Sequence, residues 1–195
     1  MIEKNDVISF FDKCAPTWDA EMIRDDTIID TILDNAQICG GEKVLDVACG
    51  TGVLIGDYLK RNVASVTGVD ISPEMIRRAR AKFSDSRVNF LCGDVECIDL
   101  APDFDGIVVY NAFPHFPDPA ALIARLSSLL KPGGILTVAH GMSRERIDAH
   151  HHTVAHSVSM GLMEAEKLTE IFAEHLRVTT VISDDRMYQV AGRKE

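Results

Sequence analysis

The chain has 195 residues, 46% of them hydrophobic and 26% charged, which supports a single globular core and excludes disordered, collagen-like and membrane-spanning classes. With 30 acidic against 20 basic residues the net charge is −10, so a nucleic-acid backbone or an anionic membrane surface is repelled on average. Neither is expected as a partner.

The N-terminus MIEKNDVISFF lacks the basic opening and apolar run of a secretory signal, and no apolar run approaches the ~20 residues that span a bilayer. The 5 cysteines form an odd set without CxxC spacing, which favours free thiols over disulfides or a zinc ribbon. A cytosolic location is the expectation.

In chain order, Asn5–Lys13 and Asp19–Gln37 read as helices, the second with Ile23, Ile28, Ile32 and Leu33 on one face. They form an N-terminal cover over residues 1–39. Short apolar runs then alternate with helical patterns through residues 40–142, the pattern of a parallel sheet with crossover helices. The strands are Lys43–Ala48, Ser65–Asp70, Val88–Cys92, Asp105–Tyr110 and Ile135–His140, and the helices are Val53–Arg61, Pro73–Phe83 and Pro119–Leu130. In residues 143–195, Arg144–Met160 reads as a polar, histidine-bearing helix and Met163–His175 as an amphipathic one. Arg177–Ser183 and Met187–Arg193 then read as a tight antiparallel hairpin. The whole reads as one α/β domain.

Asp46-Val47-Ala48-Cys49-Gly50-Thr51-Gly52 leads from the first core strand into a helix, a small-residue turn whose N–H groups and helix dipole favour an anionic group. Asp70 ends the second strand, where a carboxylate accepts both hydrogen bonds of a ribose diol. After the third strand, Asp94 stands where it can accept from an adenine exocyclic amine. A nucleoside-containing ligand is therefore expected. A nicotinamide dehydrogenase is disfavoured by the hairpin and by the absence of a GxGxxG turn.

These segments resemble the class I S-adenosylmethionine-dependent methyltransferases, particularly the small-molecule branch that includes ubiquinone and menaquinone methyltransferases. VLDVACGTG resembles the first motif, VTGVDISPEMIRRAR the second and CGDVECI the adenine-binding segment. VVYNAFPHFPDP and LLKPGGILTV resemble the fourth- and fifth-strand segments. The resemblance implies a Rossmann-like seven-stranded sheet of order 3-2-1-4-5-7-6 and methyl transfer from S-adenosylmethionine to a small molecule, releasing S-adenosylhomocysteine. It further implies that Asp46 and Gly50 line the methionine moiety, within the turn that includes Ala48 and Gly52. Asp70 would hold the ribose, Ile71 would pack on the adenine, Asp94 and Val95 would recognise its edge, and Asn111 would face the methionine end. Ala48 and Cys49 depart from the commonest first motif, and Cys49 is expected to be a small filler. Asn111-Ala112-Phe113-Pro114 lacks the second proline of the motif used on nucleic-acid amines.

Displacement at a sulfonium has a good leaving group, so the protein mainly aligns the nucleophile and removes its proton. His115 and His140, at strand ends, are the candidate bases. Trp18 and Phe116 are candidate walls of the acceptor pocket. On a helix, Asp148, His152 and His156 share a face, which suits a substrate clamp or, less favoured, a divalent metal. Two alternatives stand beside the enzyme: a non-catalytic cofactor-binding module, and a metal-dependent methyltransferase using the His150–His156 segment.

Overall fold

The computed structural model describes residues 2–149 and 158–195, with backbone alone for 150–154. Its strands are β1 (Lys43–Val47), β2 (Ser65–Asp70), β3 (Val88–Cys92), β4 (Phe104–Tyr110), β5 (Leu130–His140), β6 (Arg177–Ser183) and β7 (Tyr188–Arg193). They form one seven-stranded sheet of order β3-β2-β1-β4-β5-β7-β6, the order implied by the resemblance. The first five strands run parallel and β7 lies antiparallel between β5 and β6.

Alternation along the strands explains the two-sided core. Leu45, Val47, Ile107, Val109, Leu136 and Val138 face one way, onto α6 (Pro119–Leu129) and α8 (Ala165–Ala173) through Leu122, Leu126, Leu168 and Phe172. Val44, Val66 and Val108 face the other way, onto α3 (Asp26–Asn35), α4 (Ile55–Lys60) and α5 (Pro73–Lys82) through Leu33, Tyr58 and Ile76. α1 (Lys4–Cys14) and α2 (Trp18–Glu21) lie over the carboxyl ends of the strands, and α7 (Arg144–Val154) follows β5.

Several boundaries differ from expectation. The expected helix Asp19–Gln37 is split at residues 22–25. Asp25 caps α3 by accepting from Ile28 N at 3.1 Å, and Arg24 pins the break by donating to Val53 O and to Asp57. Ile23, expected on the apolar face, is therefore 72% exposed. The expected helix to Met160 does not extend that far: residues 159–164 are irregular, Gly161 has φ +78°, and Asp148 Oδ1 accepts from Leu162 N at 2.8 Å. β5 begins at Leu130, pairing with Phe104 before a register shift carries the chain past Gly133-Gly134 to the Ile135–Gly106 pair.

Candidate active site

Strand order reverses between β1 and β4, and in an open α/β sheet a ligand crevice lies beyond the strand ends at that point. A cavity lies there, roofed by α1 and α2. Of the cofactor-site candidates, Asp46, Ala48, Gly50, Asp70, Ile71, Asp94, Val95 and Asn111 line it. So do Trp18, His115 and Phe116.

β1 stops at Val47 because Ala48 turns to φ +54°, a left-handed conformation that an alanine adopts at a cost. Gly50 follows at φ +55° and Gly52 at φ +85°. Gly52 supports the turn: a Cβ there would come within 2.8 Å of the Phe83 ring. The turn amides are less open than expected. Cys49 N donates to Val69 O, Gly50 N to Asp70 Oδ2, and Gly52 N and Val53 N to Cys49 O, while the regular helix starts only at Ile55. Cys49 is buried, and burial pushes its thiol well above the usual range, which suits a filler.

Asp70 receives Gly50 N on one oxygen and Ser72 N on the other, each at 2.8 Å, leaving a lone pair on each oxygen for a vicinal diol. Burial pushes its carboxyl up to about 6, against the pull of those amides. Asp46 is more extreme. Its Oδ2 is buried with no hydrogen-bond partner, and burial pushes the carboxyl up to about 8 against the pull of the Tyr58 hydroxyl. A buried, orphaned acceptor at a cavity wall fits a ligand that brings a donor or a cation. Asp94 is only part-buried. Burial would raise it, but Lys4 and the Glu96 amide outweigh that and hold it below the usual carboxylate range.

The cover contributes residues that the sequence reading missed. Lys4, Val7 and Phe11 line the cavity from one face of α1, at spacings of three and four that a helical wheel would have shown. Lys4 pairs with Asp94 and, at 3.3 Å, with Glu96. Asp12 accepts from Ser72 Oγ at 2.5 Å and Glu74 N at 3.1 Å, and Asp19 from Thr51 Oγ1 at 2.5 Å and Lys82. Met22, Met75 and Tyr110 add to the apolar lining. Phe11 meets Trp18 edge-on at 5.8 Å and His115 at 5.0 Å, so one ring joins both walls.

The two candidate bases are placed differently. His115 Nδ1 lies 2.7 Å from Val158 O, and a carbonyl only accepts, so Nδ1 carries hydrogen and Nε2 is the basic nitrogen. His140 is 2% exposed at the end of β5, stacked edge-on against Tyr188 at 6.0 Å, and is not among the cavity-lining residues. Asn111, at φ +54°, accepts from Gly141 N at 3.0 Å and so ties the end of β4 to the end of β5. The side chain of His152 and all of His156 lie outside the described residues. Asp148, expected to share their face, is engaged by Leu162 N. Among the described residues no group of His, Cys, Asp or Glu is disposed to hold a metal ion.

Residues 44–134 match the family described as a methyltransferase domain. The chain is 33% identical over 139 residues to the malonyl-[acyl-carrier protein] O-methyltransferase of Acetivibrio thermocellus, covering 70% of this chain and 49% of that protein. It is 40% identical over 102 residues to the ubiquinone biosynthesis O-methyltransferase of Xanthomonas campestris, covering 49% of this chain and 41% of that protein. The chain thus spans about half the length of the curated relatives it matches. In fold it is similar to the methyltransferase in a complex with the Haloferax volcanii Trm112 methyltransferase activator. The TM-score is 0.85 at 21% identity, over 96% of this chain and 97% of that one. Sheet order, motif order and these likenesses agree: residues 44–134 match a methyltransferase domain, set in a chain with the Rossmann-like fold of known methyltransferases.

Proposed function

We propose that this protein transfers a methyl group from S-adenosylmethionine to a small, largely apolar molecule carrying a protonated nucleophile, by in-line displacement that leaves S-adenosylhomocysteine. The observation that carries this reading is the pairing, within one roofed apolar cavity, of Asp70, whose two oxygens are aimed by backbone amides, with the Asp46 carboxyl, whose Oδ2 is buried without a partner. The bound cofactor supplies an electrophilic sulfonium methyl. Asp70 holds the ribose hydroxyls, Asp94 accepts from the adenine amine, and Ile71 and Val95 pack on the ring. Asp46 receives the ammonium of the methionine end, and Ala48, Gly50 and Asn111 shape the space around it.

On the acceptor side, Phe11, Met22 and Phe116 exclude water, which strengthens the electrostatics inside and holds the nucleophile in line. His115 Nε2 takes the proton, because Val158 O fixes the ring's tautomer. The buried position of His140 against Tyr188 supports a structural role for it instead. The −10 charge supports a small-molecule acceptor over nucleic acid. The structure shows no helix long and apolar enough to cross a membrane among the described residues.

A labelled-methyl transfer screen across phenols, quinones, amines and thiols tests the activity. Transfer to at least one class is expected, with an acid limb in the rate at saturating S-adenosylmethionine that disappears in His115→Gln. Absence of transfer to every class by protein that binds S-adenosylhomocysteine would make the chain a binding module.

A further inference from the structure

Trp18 stands out because its indole Nε1 is buried without a hydrogen-bond partner, in a side chain that lines the cavity. A buried unmatched donor is costly, so a fold that keeps one at a cavity wall is arranged for an acceptor that arrives with a ligand. The indole is also held in place. Phe11 packs on it edge-on, and the adjacent Asp19 anchors α2 to Thr51 and Lys82 across the turn after β1.

Its position says which part of a ligand it meets. A Cβ built on Gly50 would lie 3.8 Å from Nε1, in van der Waals contact, so the N–H stands beside the turn after β1. The turn amides of Cys49, Gly50, Gly52 and Val53, which a helix N-terminus would ordinarily turn on an anion, already have acceptors in the protein. The carboxylates Asp70 and Asp94, lining the same cavity, repel an anion that arrives alone. An amino-acid end entering here brings one cation and one anion. Asp46 Oδ2 suits the first, and the anion needs a donor beside it.

We propose that Trp18 belongs to the cofactor site rather than the acceptor site, donating Nε1–H to the carboxylate of the cofactor's amino-acid end while Asp46 receives the ammonium. The assignment rests on the function proposed above. It changes the part played by the cover: α2 reads one end of the cofactor directly, in addition to shielding it from water.

Calorimetry with S-adenosylhomocysteine and with its decarboxylated analogue, which keeps the amine and lacks the carboxylate, separates the possibilities in the manner of a double-mutant cycle. Trp18→Phe keeps the ring and removes the N–H. It is expected to weaken S-adenosylhomocysteine about tenfold and the analogue less than twofold, the loss of one hydrogen bond to a charged group. Equal losses for both ligands would make Trp18 an apolar wall, and no loss for either would remove it from the cofactor site; each result overturns the assignment. Because the chain holds 1 tryptophan, its indole N–H gives a single resonance in the unaltered protein. That resonance should move downfield with S-adenosylhomocysteine and much less with the analogue, and identical movement with both overturns the assignment without any variant. Wild-type protein that binds neither ligand overturns the proposed function as well, an outcome distinct from the preceding ones.

Discussion

On the nucleoside side of the cavity, each loop leaving β1, β2 and β3 is tied to the helical cover by a polar contact: Thr51 to Asp19, Ser72 to Asp12, and Asp94 to Lys4. On the acceptor side the loop leaving β4 meets the cover through rings, with Phe11 set edge-on against His115. The difference has a physical consequence. A hydrogen bond demands a particular atom in a particular place, whereas ring contacts accept a range of shapes at similar energy. The nucleoside half is built to hold one ligand, and the acceptor half is a surface whose shape is set by which apolar side chains stand there.

The largest expected effect tests the polar half. Asp70→Asn replaces one acceptor with a donor that must face either Gly50 N or Ser72 N, and it removes the charge that the ribose hydroxyls meet. S-adenosylhomocysteine should bind roughly tenfold to a hundredfold more weakly, the range for hydrogen bonds to a charged group. An unchanged dissociation constant in a folded variant, by calorimetry, would break the contrast between the halves.

The next effect is one of pH. With its carboxyl pushed up to about 8 by burial, Asp46 is protonated in the free protein at pH 7. An incoming ammonium requires the carboxylate, so binding below pH 8 releases a proton. Affinity then rises with pH, by up to about tenfold per unit, and levels off above 8. For stability the sign is opposite: a carboxyl raised above its unfolded value favours the fold at low pH, and that advantage is lost as pH climbs from about 4 to 8. Calorimetry at pH 6 and pH 8 in buffers of different ionisation heat counts the proton. Asp46→Asn should flatten the profile, and a flat wild-type profile would show that Asp46 does not meet the cation.

The same contrast decides how much was legible in the sequence. Where the backbone needs a particular residue, the residue announces itself: the turn after β1 with Gly50 and Gly52 at positive φ, Ser72 capping α5, and Asp70 at a strand end. Strands alternating with helices marked the α/β class and the parallel sheet, while the strand order came from the family resemblance. The cover and the acceptor wall are set by tertiary contacts, and there the reading went astray. Nothing local marks that Arg24 reaches Val53 and Asp57 to break a helix at residues 22–25, or that Asp148 accepts from Leu162 N. Lys4 went unseen because its partner is Asp94, distant in sequence.

A smaller effect concerns how firmly the cover is held. Lys4 is half exposed, so its pair with Asp94 contributes what a surface ion pair does, about 0.2–1 kcal/mol. Lys4→Ala should speed amide exchange across α1 by about twofold to fivefold, and raised salt should do much the same to the wild type. Bound S-adenosylhomocysteine is expected to slow exchange in α1 and α2 in both proteins. If exchange there is identical with and without ligand, the cover is a fixed layer and its polar ties carry no gating.

The smallest effect sharpens the comparison residue by residue, because one left-handed position stands on each side of the crevice. Ala48, after β1, and Asn111, after β4, both have φ +54°. Alanine gains nothing from that conformation and bears about 1–2 kcal/mol of strain, whereas asparagine tolerates it well. Glycine at position 48 relieves the strain but costs roughly 0.5–1 kcal/mol of backbone entropy. Ala48→Gly should therefore stabilise by about 0.5–1 kcal/mol, a rise in Tm of roughly 1–4 °C for a chain this long. Asn111→Gly removes little strain and deletes the acceptor for Gly141 N, so it should destabilise by about 1 kcal/mol. Opposite signs in paired thermal melts are the expected result. A fall in Tm for Ala48→Gly would mean that the methyl group, which packs beside the main apolar cluster, contributes more than its strained backbone costs.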